Sequence, residues 1–284
     1  MNELVKYLFE TTAFRVCPNN KPFWYTSGKI GPFYINTQFL YGSEKDATEL
    51  LDYINTILNE KQQLPTKVFE KVKKQYDENK IYKYTIDEIV KEIKEKINID
   101  EIDYISGGER RDWFFSNMIA YLLKKPHITI WKDLSLVKSN FEFTQNEALQ
   151  NLEGKKCLHI ADLITTASSY TKRWAPAIEN SNGKIKWSIS VVDRVQGGEE
   201  ILNKIGIKSY SLIKLDSSMF TQAKELNIIN DTQYELLNAY KQNPDETMRN
   251  FLITHPEFLE EALKSDQKTV ARAKDCIENN LYNL

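Results

Sequence analysis

The sequence predicts an α/β protein: a mostly parallel sheet flanked by helices, with an N-terminal hairpin, an inserted helical segment and a helical C-terminal extension. Three observations carry that expectation. Strand and helix patterns alternate from Ile102 to Asp216, as in a parallel sheet. An apolar strand runs into the small, hydroxyl-rich loop Thr165-Thr166-Ala167-Ser168-Ser169. Helical periodicity fills the chain on either side of the alternating region.

The chain has 284 residues, enough for one sizeable core with additions. Its 41% hydrophobic and 27% charged residues are ordinary for a globular protein, and a formal net charge of -2 gives no basic footprint for general nucleic-acid binding. Small-molecule or protein partners fit better. Cys17, Cys157 and Cys276 are odd in number and far apart, which suggests neither a disulfide framework nor a zinc site and points to a reducing compartment. The first ten residues read as an amphipathic helix rather than a signal peptide, and no stretch reaches the roughly 18 to 20 apolar residues needed to span a bilayer. A cytoplasmic location with no membrane partner is expected.

Residues 1–42 are read as that helix followed by two short strands joined by a Ser27-Gly28-Lys29 turn. Residues 43–101 are read as three helices. Ser43 caps the first, Pro65 starts the second, and Thr85 with Glu88 forms a capping-box pattern for the third. Residues 102–216 form the expected α/β core: a strand entering Ser106-Gly107-Gly108, a helix through Ala120 and Leu123, and strands at residues 127–131, 157–164, 186–192 and 209–215. Residues 134–153 are polar and weakly periodic, and are expected to be a long loop with at most a turn of helix. Residues 217–284 are expected to be wholly helical, with starts or caps at Asp231, Pro244, Pro256 and Ser265.

Chemistry concentrates after residue 157. In Cys157-Leu158-His159-Ile160-Ala161-Asp162-Leu163-Ile164 a buried strand ends near a carboxylate, and the five small residues that follow open a helix. A helix start offers unpaired N–H groups and a positive dipole end, and hydroxyls add donors, so this loop suits a phosphate. Read without context, Asp162 and the hydroxyls are equally an N-cap cluster. Arg194 alone reads as a surface ion pair, Arg110 and Arg111 as a helix-start pair, and Lys132 and Lys138 as solvated charges. His127, His159 and His255 read as structural.

This segment resembles the phosphoribosyl pyrophosphate motif of type I phosphoribosyltransferases, with Ala161 at the first of the motif's two acidic positions and Ala167 in place of the usual glycine. Three further segments, in the family's order, are similar to orotate phosphoribosyltransferases. Tyr25-Thr26-Ser27-Gly28-Lys29-Ile30-Gly31-Pro32-Phe33-Tyr34 resembles the base-side hairpin, with Thr26 where the family has lysine. Ser106-Gly107-Gly108-Glu109-Arg110-Arg111-Asp112 occupies the place of the pyrophosphate loop, and Val192-Asp193-Arg194 that of the base-contacting arginine. The family's loop histidine has no counterpart between Lys132 and Glu153.

The resemblance implies transfer of ribose 5-phosphate from phosphoribosyl pyrophosphate to a nitrogenous base, orotate first among candidates, in a homodimer. Mg2+ would be carried by substrate rather than by direct protein ligation. It implies catalytic roles for Asp162, Arg111, Lys132 and Lys138. Phosphate and ribose contacts fall to Asp162, Thr165, Thr166, Ala167, Ser168 and Ser169, and base contacts to Phe33, Tyr34 and Arg194. Two alternatives stay open: a regulatory protein that binds phosphoribosyl pyrophosphate without turnover, and a transferase for another acceptor.

Overall fold

The computed structural model describes residues 2–18 and 21–284. The chain divides into two compact units, Met1–Thr12 with Thr37–Leu215, and Ala13–Asn36 with Asp216–Leu284.

The first unit contains α1 (Asn2–Glu10), a 3-10 turn at Thr37–Tyr41, and the helices α2 (Glu44–Ile57), α3 (Leu64–Glu78) and α4 (Lys80–Lys96). It then runs through β5 (Tyr104–Gly108), α5 (Trp113–Leu123), β6 (His127–Ile130), β7 (Leu136–Ser139), β8 (Asn146–Ala148) and β9 (Lys156–Ile164). It ends with α6 (Ala175–Asn180), β10 (Lys184–Asp193), α7 (Gly198–Lys204) and β11 (Lys208–Lys214). Ser43 caps α2 as expected, its side chain accepting from the Asp46 N–H. The third helix begins five residues before the Thr85 capping pattern. Asn79 is its cap, accepting from the Ile81 and Tyr82 N–H groups, and Thr85 sits one turn inside, donating to the Ile81 carbonyl. The earlier start puts buried Ile81 and Tyr82 in phase with Ile86, Ile89 and Ile93.

Seven strands form one sheet in the order β11-β10-β9-β5-β6-β7-β8. The pairs from β11 to β6 are parallel, and β7 and β8 add on antiparallel. Residues 134–153 thus hold two strands where the sequence suggests a loop. The strands are only four and three residues long, too short for a visible period of two, and Leu136, Val137 and Ser139 of β7 are all buried. Phe143, at a tight turn with φ 56°, is fully buried and stacks on Phe69 at 4.5 Å. That stacking anchors the extension. In β9 six of nine residues and in β10 eight of ten are buried, as expected for parallel strands covered on both faces.

The second unit contains β1 (Phe14–Val16), β2 (Phe23–Trp24), β3 (Ile30–Gly31) and β4 (Phe33–Ile35). It also holds the helices α8 (Ser217–Glu225), α9 (Asp231–Gln242), α10 (Pro244–Thr254), α11 (Glu257–Ala262) and α12 (Gln267–Glu278). β2 and β3 are the expected pair around the Ser27-Gly28-Lys29 turn, with Gly28 at φ 74°. β4 pairs instead with β1, Val16 opposite Phe33. Ile30, Met248, Leu252, Cys276 and Tyr282 form this unit's core. Among the described residues no helix is long and apolar enough to cross a membrane.

His127, at the start of β6, is wholly buried, with Nε2 2.9 Å from the Ser116 hydroxyl and Nδ1 3.2 Å from that of Thr129. Burial, and secondarily His159, lowers its pKa from 6.5 to about 3. A depressed pKa contributes stability that is complete above pH 6.5 and is lost as pH falls toward 3, because only the unfolded chain takes up the proton. Thermal midpoints measured across that window should fall for the native protein and fall less steeply for His127→Gln. An identical slope in the variant would contradict the assignment.

Candidate active site

β5 leads through α5 to β6 on one side of the sheet, whereas β9 leads through α6 to β10 on the other. The strand order therefore reverses between β5 and β9. In open α/β sheets ligands bind at the carboxyl ends of the strands at such a reversal. The β5–β9 ladder stops at Ser106 opposite His159, while β9 continues beside β10 as far as Ile164. Beyond the last rung the two strand ends part. A cavity of about 250 Å3 lies there, lined by residues 109–112 after β5, by Lys132, by residues 161–165 and 167–170, and by Leu51 and Trp174.

The loop after β9 turns at Ala167, which is buried and has φ 51°. The left-handed region is where the sequence expectation of a glycine arises. Ser168 and Ser169 open the helix that passes through one π-helical turn, Tyr170–Trp174, into α6. The Thr171 N–H donates to the Ala167 carbonyl at 3.1 Å, so the amides just before it stand at the open helix end. Thr166, Ser168 and Ser169 are exposed and Thr165 is half-buried, an arrangement that presents hydroxyls and amides together. Gly198 supports the loop from behind: a Cβ there would lie 2.5 Å from the Thr165 carbonyl oxygen and 2.4 Å from the Ile164 side chain.

On the opposite wall, the Asp112 carboxylate accepts from the Gly108 N–H (Oδ2, 3.0 Å) and from the Asp162 N–H (Oδ1, 3.0 Å). Burial raises the pKa of the Asp162 carboxyl well above the usual carboxylate range. The neighbouring Asp112 charge adds to the rise, and Arg111 opposes it. Glu109 is turned toward Lys132, its carboxylate accepting from the Lys132 N–H at 3.0 Å and lying 3.6 Å from Nζ. The cavity lining thus carries Glu109, Asp112 and Asp162 against Arg110, Arg111 and Lys132.

Of the residues singled out in the sequence, Asp162, Thr165, Ala167, Ser168, Ser169, Arg111 and Lys132 line this one cavity. Thr166 lies within the same loop. Arg194 follows β10, its N–H donating to the Ile164 carbonyl at 2.9 Å, and is not among the lining residues. Lys138 lies on β7, also outside the lining, and pairs with Glu147 at 2.9 Å. Phe33 and Tyr34 belong to the second unit. There Phe33 is buried, stacked on Phe14 at 5.2 Å and edge-on to Tyr240 at 5.8 Å, and Tyr34 is half-buried beside Phe23 and Tyr25. The sequence places Asp112 in the segment at the pyrophosphate-loop position but assigns it no role of its own, and it assigns none to Trp174 or Gly198.

An alanine at φ 51° carries about 1 kcal/mol or more of strain, set against about 0.4–1 kcal/mol of unfolded-state entropy that a glycine would add and about 0.8 kcal/mol for its buried methyl. Ala167→Gly should therefore leave stability within about 1 kcal/mol of native, whereas β-branched Ala167→Val should cost more than about 2 kcal/mol. Chemical denaturation of both variants checks this. A valine variant as stable as native would show that the loop does not need the left-handed turn.

No family model matches the chain. The orotate phosphoribosyltransferase of Sulfolobus acidocaldarius is 25% identical over 163 residues, which is 56% of this chain and 76% of that protein. The UMP synthase structure from Leishmania donovani superposes with a TM-score of 0.57 at 16% identity, over 85% of this chain but only 42% of that one. The orotate phosphoribosyltransferase structure from Francisella tularensis gives a TM-score of 0.53 at 16% identity, over 84% of this chain and 98% of its own. With its sequence relatives, its sheet order and its loop at the strand reversal taken together, the chain is similar to orotate phosphoribosyltransferases in sequence and has the α/β fold of the solved members of that group.

Proposed function

We propose that this protein transfers ribose 5-phosphate from phosphoribosyl pyrophosphate to a nitrogenous base, with orotate the first candidate. The observation that carries this reading is the convergence of the hydroxyl-rich loop after β9 and the arginine-bearing turn after β5 on one cavity at the strand reversal. The loop amides and the hydroxyls of Thr165, Thr166, Ser168 and Ser169 suit the 5-phosphate. Asp162, as a carboxylate, accepts hydrogen bonds from the ribose hydroxyls. Arg111 and Lys132, the latter paired with Glu109, line the same cavity and would face the departing pyrophosphate.

In the reaction the bond from the anomeric carbon to the pyrophosphate oxygen breaks and its electron pair leaves with pyrophosphate. A ring nitrogen of the base forms the new bond to that carbon, and the proton it carried passes to solvent. The protein's contribution is positioning and fixed charge around a cationic ribose. The family resemblance implies a Mg2+ ion that would reach the site with phosphoribosyl pyrophosphate. When bound, that ion neutralises charge on the pyrophosphate. The base-side assignment of Phe33 and Tyr34 rests on the hairpin motif, and the homodimer on the family resemblance.

One observation favours a second reading. Glu109 already occupies Lys132, and the lining acids and bases are equal in number, so the site holds a polyanion less strongly than an all-basic loop would. A phosphoribosyl-pyrophosphate-binding protein with little turnover fits that balance.

Pyrophosphate release measured with phosphoribosyl pyrophosphate, Mg2+ and a panel of bases, beside calorimetric titration of phosphoribosyl pyrophosphate alone, separates the two. The first reading expects turnover, and a fall in kcat of about 100-fold in Asp162→Asn. Binding without release would support the second reading, and absence of binding would contradict both.

A further inference from the structure

We propose that Asp112 is a positioning residue for Asp162: a single buried carboxylate joins the end of β5 to the end of β9 where their ladder has stopped, and fixes both the place and the charge environment of Asp162. This inference rests on the transfer reading given above.

Backbone N–H groups left facing a gap between strands need an acceptor. The Gly108 and Asp162 N–H groups both find theirs in Asp112, which is 7% exposed. A third contact holds the carboxylate from below: His159 Nε2 is 3.3 Å from Asp112 Oδ2, and His159 Nδ1 is 3.0 Å from the Ser106 hydroxyl. An ionised carboxylate only accepts, so Nε2 carries the hydrogen and, in the neutral ring, Nδ1 accepts from Ser106. The imidazole is fully buried, edge-on to Tyr170 at 4.8 Å and roughly parallel to the Trp174 ring at 6.3 Å. Those aromatics belong to the π-helical turn directly behind the phosphate loop. Asp112 therefore meets the turn after β5, the carboxylate strand and, through His159, the aromatics under the loop.

The charged and titratable groups around Asp162 come from several elements. Asp112 and Arg111 approach from the turn after β5, Tyr170 from the helix after the loop, and His159 reaches the pair through Asp112. Arg111 favours the ionised form of Asp162, whereas Asp112 and burial oppose it. If ribose hydroxyls donate to the ionised carboxylate, kcat/KM rises with pH as Asp162 loses its proton. Asp112 sets where that rise falls.

Asp112→Asn retains an oxygen for the Asp162 N–H, removes the charge and turns an amide N–H2 toward Gly108 and His159. The titration of Asp162 can be followed by NMR on protein labelled with carboxyl-13C aspartate, with Asp162→Asn assigning the signal. In Asp112→Asn it should move down by about one pH unit or more. The acid limb of kcat/KM should move the same way, while the high-pH plateau falls about tenfold as the Gly108 turn loosens. Asp112→Ser, smaller and equally uncharged, should give the same titration shift and carries the test if the asparagine variant does not fold. A purely structural Asp112 would lower stability or the plateau without moving the titration or the limb, and that result would overturn the proposal. The titration needs no substrate. A native protein that fails to turn over would count against the transfer reading, while a shifted titration would still uphold the hold of Asp112 on Asp162.

Discussion

The parting of β5 from β9 is the constraint on which the site depends. Parallel strands joined by right-handed crossovers leave a crevice where the order reverses. Here the β5–β9 ladder ends at Ser106 and His159, two residues short of the end of β5 and five short of the end of β9. Each unpaired strand end has an N–H to satisfy, and an acid from the intervening turn satisfies both. The same geometry that opens room for a ligand thus places two carboxylates side by side, Asp112 buried and Asp162 half-buried, with Arg111 opposing their charge. Fold and electrostatics arise here from one topological event.

The two walls of the cavity solve different problems. The wall after β9 places small and hydroxylic residues at a helix start, at the cost of an alanine in a left-handed turn and with Gly198 required behind it. The wall after β5 carries mixed charge, and its close packing extends to Gly108, where a Cβ would fall 2.3 Å from the Trp174 indole. Under the proposed function, a phosphate would meet a pre-formed set of donors on one side and a balanced field on the other. Such a field holds an anion without trapping it.

Much of this was legible in the sequence because the signals were local. The strand at residues 157–164, its Asp162 near the carboxyl end and the hydroxyl-rich loop are contiguous, and the buried strands are rich in apolar residues. Other features were hidden because they depend on distant partners. Asp112 and Asp162 are fifty residues apart, and their hydrogen bond follows from the β5–β9 pairing rather than from any spacing. Strands β7 and β8 were invisible because strands of four and three residues, the second polar and largely exposed, are too short to show alternation, and the Phe143 anchor acts through Phe69 on another element. Thr85 and Glu88 mimicked a cap because local chemistry cannot tell that Asn79 has already started the helix.

The most direct test of the central claim, that the loop after β9 is a phosphate cradle at the strand reversal, is a titration of ribose 5-phosphate into 15N-labelled protein with amide shifts recorded residue by residue. The structure predicts saturable shifts centred on residues 165–171, with a smaller response at Gly108 and Asp162 through the Asp112 carboxylate. Saturable binding with shifts confined to another part of the chain, or no binding at millimolar ligand, would contradict it.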